Sequence, residues 1–219
     1  MIFAKIDFIN LLPFYIFIKK NIRSTQTKQI INYKKSYPSK INKKFKKRKI
    51  DAAFISSIAS KKCNCLDLGI VAQNEVLSVL ALKGDYQKDI QSDTSNALAK
   101  ILKIEGKVVI GDKALHYYHN SGDKEFIDLA KLWKERYALP FVFARLCVNK
   151  EEKYLKELGK RFKNTKVKIP RYILKQYVSR TGITETQIKD YLKKISYHIG
   201  YKEKKALKLF LKLSKQERV

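Results

Sequence analysis

Apolar positions fall into short strand-like blocks separated by polar turns over the first two thirds of the chain, and into helical spacing after that. Ile2-Phe-Ala-Lys-Ile-Asp-Phe-Ile9 alternates and is rich in β-branched and aromatic residues, which predicts a strand. Asn10-Leu-Leu-Pro13 reads as the turn that ends it, and residues 14–20 begin a helix. Asp51-Ala-Ala-Phe-Ile55 predicts a buried strand running straight into Ser56-Ser57, and residues 66–72 and 77–82 predict two more. Asp93-Thr94-Ser95 opens an amphipathic helix with Ala97, Leu98, Ile101 and Leu102 on one face. Residues 107–112 follow as strand and turn, 126–137 as helix, and 140–144 as strand. From residue 151 onward the pattern is helical, with breaks near Pro170, Gly182 and Gly200.

Strands alternating with helices predict an α/β fold with mostly parallel sheets. The strands at 77–82 and 140–148 bracket the middle of the chain and predict two lobes. Residues 1–80 and 146–219 form the first, and residues 81–145 are inserted as the second. Two sheets joined by two crossover strands make a hinge, with a ligand cleft between the lobes.

Charge sharpens this division. The 219 residues include 48 Lys or Arg and 20 Asp or Glu, a formal net charge of +28. Residues 1–80 hold +12 of it and residues 146–219 hold +14, whereas residues 81–145 hold only +2. Nine basic residues and no acid lie between Lys34 and Lys49. Such an excess admits a nucleic-acid partner. The predominance of Lys over Arg argues instead for a solvated face, because Arg is the residue that reads bases and forks phosphates. A hydrophobic fraction of 45% is enough for a real core and excludes wholesale disorder. Three cysteines, an odd and sparse set, argue against a disulfide framework and for a reducing compartment. The apolar stretch from Phe8 to Ile18 fails as a leader or anchor. Asn10 and Pro13 interrupt it, no Ala-x-Ala site follows, and 11 residues fall short of the ~20 that span a bilayer. A cytoplasmic protein without a membrane partner is expected.

Three polar turns share one design, in which a strand ends, a polar cluster follows and a helix begins. They hold Asn10, then Ser56 and Ser57, then Asp93, Thr94 and Ser95. Such turns expose backbone N–H groups and hydroxyl donors that suit a small carboxylate, and they also suit ordinary helix capping. In open α/β sheets the ligand crevice lies at the carboxyl ends of strands, where these clusters fall. A metal site is not expected. Cys63-Asn-Cys65 has no second pair, and His116 with His119 has no carboxylate partner. Neither a Gly-x-Ser-x-Gly elbow nor a phosphate-binding glycine loop occurs. A sharper competitor lies in residues 173–195, where helix, Gly182 turn and helix outline a helix-turn-helix, with Thr184 and Gln187 as a capping box. Its second helix presents Glu185 and Asp190, a poor surface for phosphates, so specific nucleic-acid binding is not expected.

Several of these pieces, in this order, resemble the chorismate dehydratase family of the futalosine route to menaquinone. They are Asp7-Phe-Ile-Asn10-Leu-Leu-Pro13, Asp51-Ala-Ala-Phe-Ile-Ser-Ser57, Leu66-Asp-Leu-Gly-Ile-Val-Ala72, Leu77-Ser-Val79, Asp93-Thr-Ser95 and Ile110-Gly-Asp112. Asp128-Leu-Ala-Lys-Leu-Trp133 and Leu139-Pro-Phe-Val-Phe-Ala144 complete the match. The resemblance implies a two-lobed fold like a type II periplasmic binding protein, closed by C-terminal helices. It implies loss of water from chorismate to give 3-[(1-carboxyvinyl)oxy]benzoate, with neither metal nor organic cofactor. On that basis Ser56, Ser57, Ser78, Asp93, Thr94 and Ser95 are expected at the substrate carboxylates. Asn10 is expected at the leaving hydroxyl or the proton path. The base is either the substrate's own side-chain carboxylate or Asp112. Leu11 after Asn10, and Asn96-Ala-Leu98 after Ser95, depart from the family pattern. A non-catalytic carboxylate-binding protein is the other reading of the same turns.

Overall fold

The structure, a computed structural model, describes residues 1–22, 24–122 and 125–217, so that 218 and 219, within the expected first lobe, lie outside it. Its chain is α/β, with two separate sheets. Strands β1 (Phe3–Ala4), β2 (Ala52–Ser56), β3 (Cys65–Ala72), β7 (Phe141–Val148) and β8 (Ile195–His198) form a five-stranded sheet in the order β1-β2-β7-β3-β8. Strands β4 (Val79–Leu82), β5 (Lys107–Ile110) and β6 (Phe126–Asp128) form a three-stranded sheet in the order β5-β4-β6. Each strand belongs to one sheet. The chain crosses between them through residues 73–78, and again through residues 138–140 on the way into β7.

The expectation of mostly parallel sheets is corrected here. Among the named strands only β1 and β2 pair in parallel, and the other five pairings are antiparallel. In the larger sheet β7 returns from the second sheet and inserts between β2 and β3, running against both, and β8 runs against β3, while the smaller sheet is antiparallel throughout. Alternation of strand and helix along a sequence fixes chain order but not spatial neighbours, and the neighbours decide direction.

The N-terminal apolar stretch is a 3-10 turn (Ile9–Leu11) leading into helix α1 (Leu12–Asn21), where Pro13 sits in the first turn and loses no helical hydrogen bond. Leu12, Phe14, Tyr15, Phe17 and Ile18 are all buried, so the helix is apolar all round because protein surrounds it. Phe14 packs edge-on against Phe54 of β2 and Phe162 of α7 (Glu152–Lys163), with ring centroids 5.0 and 5.2 Å away. Among the described residues no helix is long and apolar enough to cross a membrane.

Helices α2 (Thr25–Tyr33), α3 (Pro38–Lys46), α4 (Asp93–Ile101) and α5 (Gly111–Asn120) precede β6. After it come α6 (Leu129–Tyr137), α7, α8 (Arg171–Thr181), α9 (Glu185–Lys193) and α10 (Tyr201–Gln216). The region expected to be one helix over 126–137 is strand, then cap, then helix. The Asp128 carboxylate caps α6 through the Ala130 and Lys131 N–H groups, while its other oxygen accepts from Val76 and Leu77. The helical expectation for residues 188–195 ends early, since Ile195 opens strand β8. Cysteine pairing is also corrected. Cys65 and Cys147 face each other across β3 and β7 and form a disulfide, leaving Cys63 as the free thiol. An odd count argues against a framework but not against one pair set opposite by strand register.

Candidate functional site

The starts of four helices meet at one cleft between the two sheets. Asn10 and Leu11 come from the turn before α1, Pro38 from the first residue of α3, Ser92 and Ser95 from the start of α4, and Gly111 from the first residue of α5. The aligned peptide dipoles of these helix starts give this end of the cleft a positive potential. The remaining polar lining is Ser56 and Ser78, and among the described residues no Lys, Arg, Asp or Glu lines the cleft. Apolar walls come from Phe8, Ile70 and Phe143 among others. The cavity measures about 60 Å³.

Each polar group is held by a recognisable local device. Ser56 ends β2, and the buried Asn42 of α3 donates to its hydroxyl at 2.6 Å while accepting from its N–H at 3.2 Å. Ser92 is the N-cap of α4, its hydroxyl accepting from the Ser95 N–H at 3.1 Å and lying 2.8 Å from the Ser95 hydroxyl. Ser78 precedes β4; its carbonyl accepts from the Gly111 N–H at 2.8 Å, which ties that strand to the start of α5. Gly111 has φ of +63°, and a Cβ there would sit 2.8 Å from the Phe8 ring, so only glycine lets α5 start this close to the first turn.

The turn that carries Asn10 is held from two sides. The Tyr197 hydroxyl of β8 donates to its carbonyl at 2.6 Å, and the neighbouring Ile9 N–H donates to Asp112 at 3.1 Å. The fully buried Tyr191 of α9 donates to the Ser78 hydroxyl at 2.9 Å. The Asn10 Oδ1 atom is buried and has no partner among the described residues.

Behind this turn lies an ion cluster. Arg180 of α8 donates to Asp112 at 2.6 Å and to Asp7 at 2.9 Å, and Tyr177 and Lys5 also bind Asp7. Burial lifts the Asp112 carboxyl above its ordinary range, and the Ile9 N–H and Arg180 offset only part of that. Burial also pushes Asp7 upward, but Lys5, Tyr177 and Arg180 together hold it below the usual carboxylate value. Burial raises the Tyr191 and Tyr197 hydroxyls, so both remain protonated donors.

Of the residues expected from sequence, Asn10, Ser56, Ser78 and Ser95 meet at the cleft. Ser57 and Thr94 are turned into its wall: the Ser57 hydroxyl donates to the Val142 carbonyl and the Thr94 hydroxyl accepts from the Ile58 N–H. Asp93 is exposed on the first turn of α4, and Asp112 stands one layer behind Asn10. Ser92 was readable as the N-cap three residues before Ser95. Tyr191 was not, since its spacing from Ile188 looks like ordinary helix core. The capping box at Thr184 and Gln187 is present, yet α9 turns Ile188 and Tyr191 inward towards the site. Among the described residues no group of three or more His, Cys, Asp or Glu side chains could hold a metal ion, and His116 contacts the Thr181 carbonyl instead.

Most of the chain is similar to known proteins. Residues 88–216 match the family model described as menaquinone biosynthesis. A chorismate dehydratase of Campylobacter jejuni subsp. jejuni is 51% identical over 220 residues, which covers 98% of each chain. The crystal structure of protein AF1704 from Archaeoglobus fulgidus superposes with a TM-score of 0.64 at 12% identity, covering 99% of this chain and 97% of the other, a likeness of fold. With more than half the chain matched by the family model and nearly all of it by the relative, the protein belongs to the chorismate dehydratase family of menaquinone biosynthesis.

Proposed function

We propose that the protein is a carbon–oxygen lyase that converts chorismate to 3-[(1-carboxyvinyl)oxy]benzoate and water. The observation that carries this reading is the 51% identity, over 98% of the chain, to a chorismate dehydratase. The cleft supports it. A dicarboxylate can be held by serine hydroxyls and helix starts, and the apolar walls suit the ring between the carboxylates. The two sheets would then be the cores of two lobes that close on the substrate.

The reaction breaks the bond between carbon 4 and its hydroxyl and removes the proton from carbon 3. The departing hydroxide takes up one proton, water leaves, and the ring becomes aromatic. No oxidant or reductant is needed for this balance. Aromatisation supplies driving force, so the protein must chiefly hold, orient and move one proton. Asn10 lines the cleft, where its side-chain amide would hydrogen-bond the substrate hydroxyl and so aim it. Asp112 is engaged by Arg180 and the Ile9 N–H away from the lining, which favours the substrate's side-chain carboxylate as the base. Asp112 then acts as a support for the Asn10 turn.

Incubating the purified protein with chorismate tests the proposal, with the product separated and weighed by mass spectrometry. Appearance of the aromatic product, undiminished after exhaustive chelation, is the expected result. Bound but unchanged chorismate would instead make this a carboxylate-binding protein, and activity that returns only with added zinc would overturn the metal-free scheme.

A further inference from the structure

We propose that Asn42 is a positioning residue that keeps the Ser56 hydroxyl a hydrogen-bond donor towards the ligand, so that this part of the cleft takes an acceptor such as a carboxylate oxygen. Asn42 lies on α3, within the basic run that reads in sequence as a solvated face, yet it is 4% exposed. It does not itself line the cleft, whereas Ser56, the last residue of β2, does. Two hydrogen bonds join the pair. The Ser56 N–H donates to Asn42 Oδ1 at 3.2 Å, and Asn42 Nδ2 donates to Ser56 Oγ at 2.6 Å.

The consequence follows from counting donors. A side-chain amide can ordinarily flip, but a backbone N–H only donates, so the atom that meets it is Oδ1. The amide NH₂ is thereby turned to the Ser56 hydroxyl, whose oxygen accepts. A hydroxyl that accepts this bond still has its own proton to give, and among the described residues no group takes it. The neighbouring serines are different. The Ser57 proton goes to the Val142 carbonyl, and the Ser92 and Ser95 hydroxyls pair with each other in either direction. Ser56 is therefore a lining serine whose polarity is set from behind, by a residue the ligand does not touch. Carboxylate oxygens only accept, so they are the groups of a dicarboxylate that suit it.

The test is Asn42→Asp, which keeps the shape and the acceptor for the Ser56 N–H but offers the Ser56 hydroxyl an acceptor in the wall. For its kinetic arm the proposal rests on the dehydratase reading. At about pH 8, where an ordinary carboxyl is ionised, KM for chorismate and the dissociation constant of the aromatic product should rise on the order of tenfold or more. Turnover per folded molecule should change by less than about threefold. Asn42→Ala, which leaves the hydroxyl free to rotate, should weaken binding less than Asn42→Asp. If Asn42 only tied α3 to β2, the order would reverse, because aspartate keeps the bond to the Ser56 N–H and alanine loses it. In the Ser56→Ala background, Asn42→Asp should cost less than about threefold, since the hydroxyl it redirects is gone. The reversed order, or an equal loss in both backgrounds, would overturn the proposal. A further arm needs no turnover and no Asn42 variant beyond an assignment: the Asn42 side-chain amide signal in a nitrogen-15 spectrum, identified by its loss in Asn42→Ala. Removing its acceptor in Ser56→Ala should shift it and speed its exchange with water, and an unmoved signal would overturn the proposal. Were the wild type inert towards chorismate, the dehydratase reading would fall. The amide signal, and the order of the variants in affinity for isophthalate as a dicarboxylate probe, would still decide the role of Asn42.

Discussion

A buried carbonyl oxygen without a hydrogen bond, such as Asn10 Oδ1, costs a resting protein about 1–3 kcal/mol. That cost has no structural benefit, since the backbone of the turn is already held by Tyr197 and Asp112. Asn10→Ala should therefore leave the thermal midpoint nearly unchanged or raise it, while turnover falls on the order of a hundredfold, as losing an oriented hydrogen-bonding group does. Product affinity should fall much less, because the serines at 56, 78, 92 and 95 remain. If Asn10 only closed its own turn, the midpoint would drop and turnover per folded molecule would hold. Thermal melts, product titration and kinetics on one preparation separate the two. Asn10 was readable in the sequence because a polar amide interrupts an apolar run just before Pro13. Its partner was not: Tyr197 looks like a loop aromatic until β8 is folded back onto the first turn.

At the level of elements, the C-terminal helices brace the N-terminal turn. Arg180 on α8 joins Asp7 and Asp112, and Tyr177 beneath it adds a hydroxyl to Asp7 and a ring 4.2 Å from the guanidinium. This brace has a definite acid sensitivity. The Asp7 carboxyl is lowered below 3.8 when folded, so the folded state binds fewer protons than the unfolded one in that range. Its stabilising contribution is complete above about pH 4 and is lost as pH falls through the lower folded value. Asp112 has the opposite sign. Its raised value favours the protonated form, so its contribution weakens as pH rises past its ordinary range. Thermal midpoints between pH 7 and 3 should drop less steeply in Asp7→Asn than in the wild type, and equal slopes would remove Asp7 from the brace. The strands at 52–56, 65–72 and 79–82 were legible because they are continuous apolar runs bounded by polar turns. Strand β8 was not, being four residues whose pairing with β3 lies more than a hundred positions away. The split of 126–137 was missed for a related reason: Asp128 is a cap, but its capping partners include Val76 and Leu77 of another segment.

For the whole molecule, charge and cavity present a contrast. The protein carries a net charge of +28, yet among the described residues no charged side chain lines the cleft. The cavity between the helix starts measures about 60 Å³. A ligand that approaches the cleft meets the field of the surface before it meets the serines. Long-range attraction of this kind is screened by salt, since the Debye length shrinks from ~30 Å at 0.01 M to ~8 Å at 0.15 M ionic strength. The held ligand, enclosed among hydroxyls and helix starts, is screened much less. For the dianion chorismate, kcat/KM should therefore fall steadily as sodium chloride is raised from about 20 to 500 mM, by roughly tenfold or more. Over the same range kcat should stay nearly constant, because the groups at Asn10 and Ser56 do not change. The same basic surface should bind unrelated DNA duplexes weakly, with no sequence preference and a steep loss of affinity with salt. A kcat/KM that is flat across the series would reduce the positive surface to a solubilising coat. A fall in kcat with salt would instead mean that the charges act on the closed site itself, against the uncharged lining seen here.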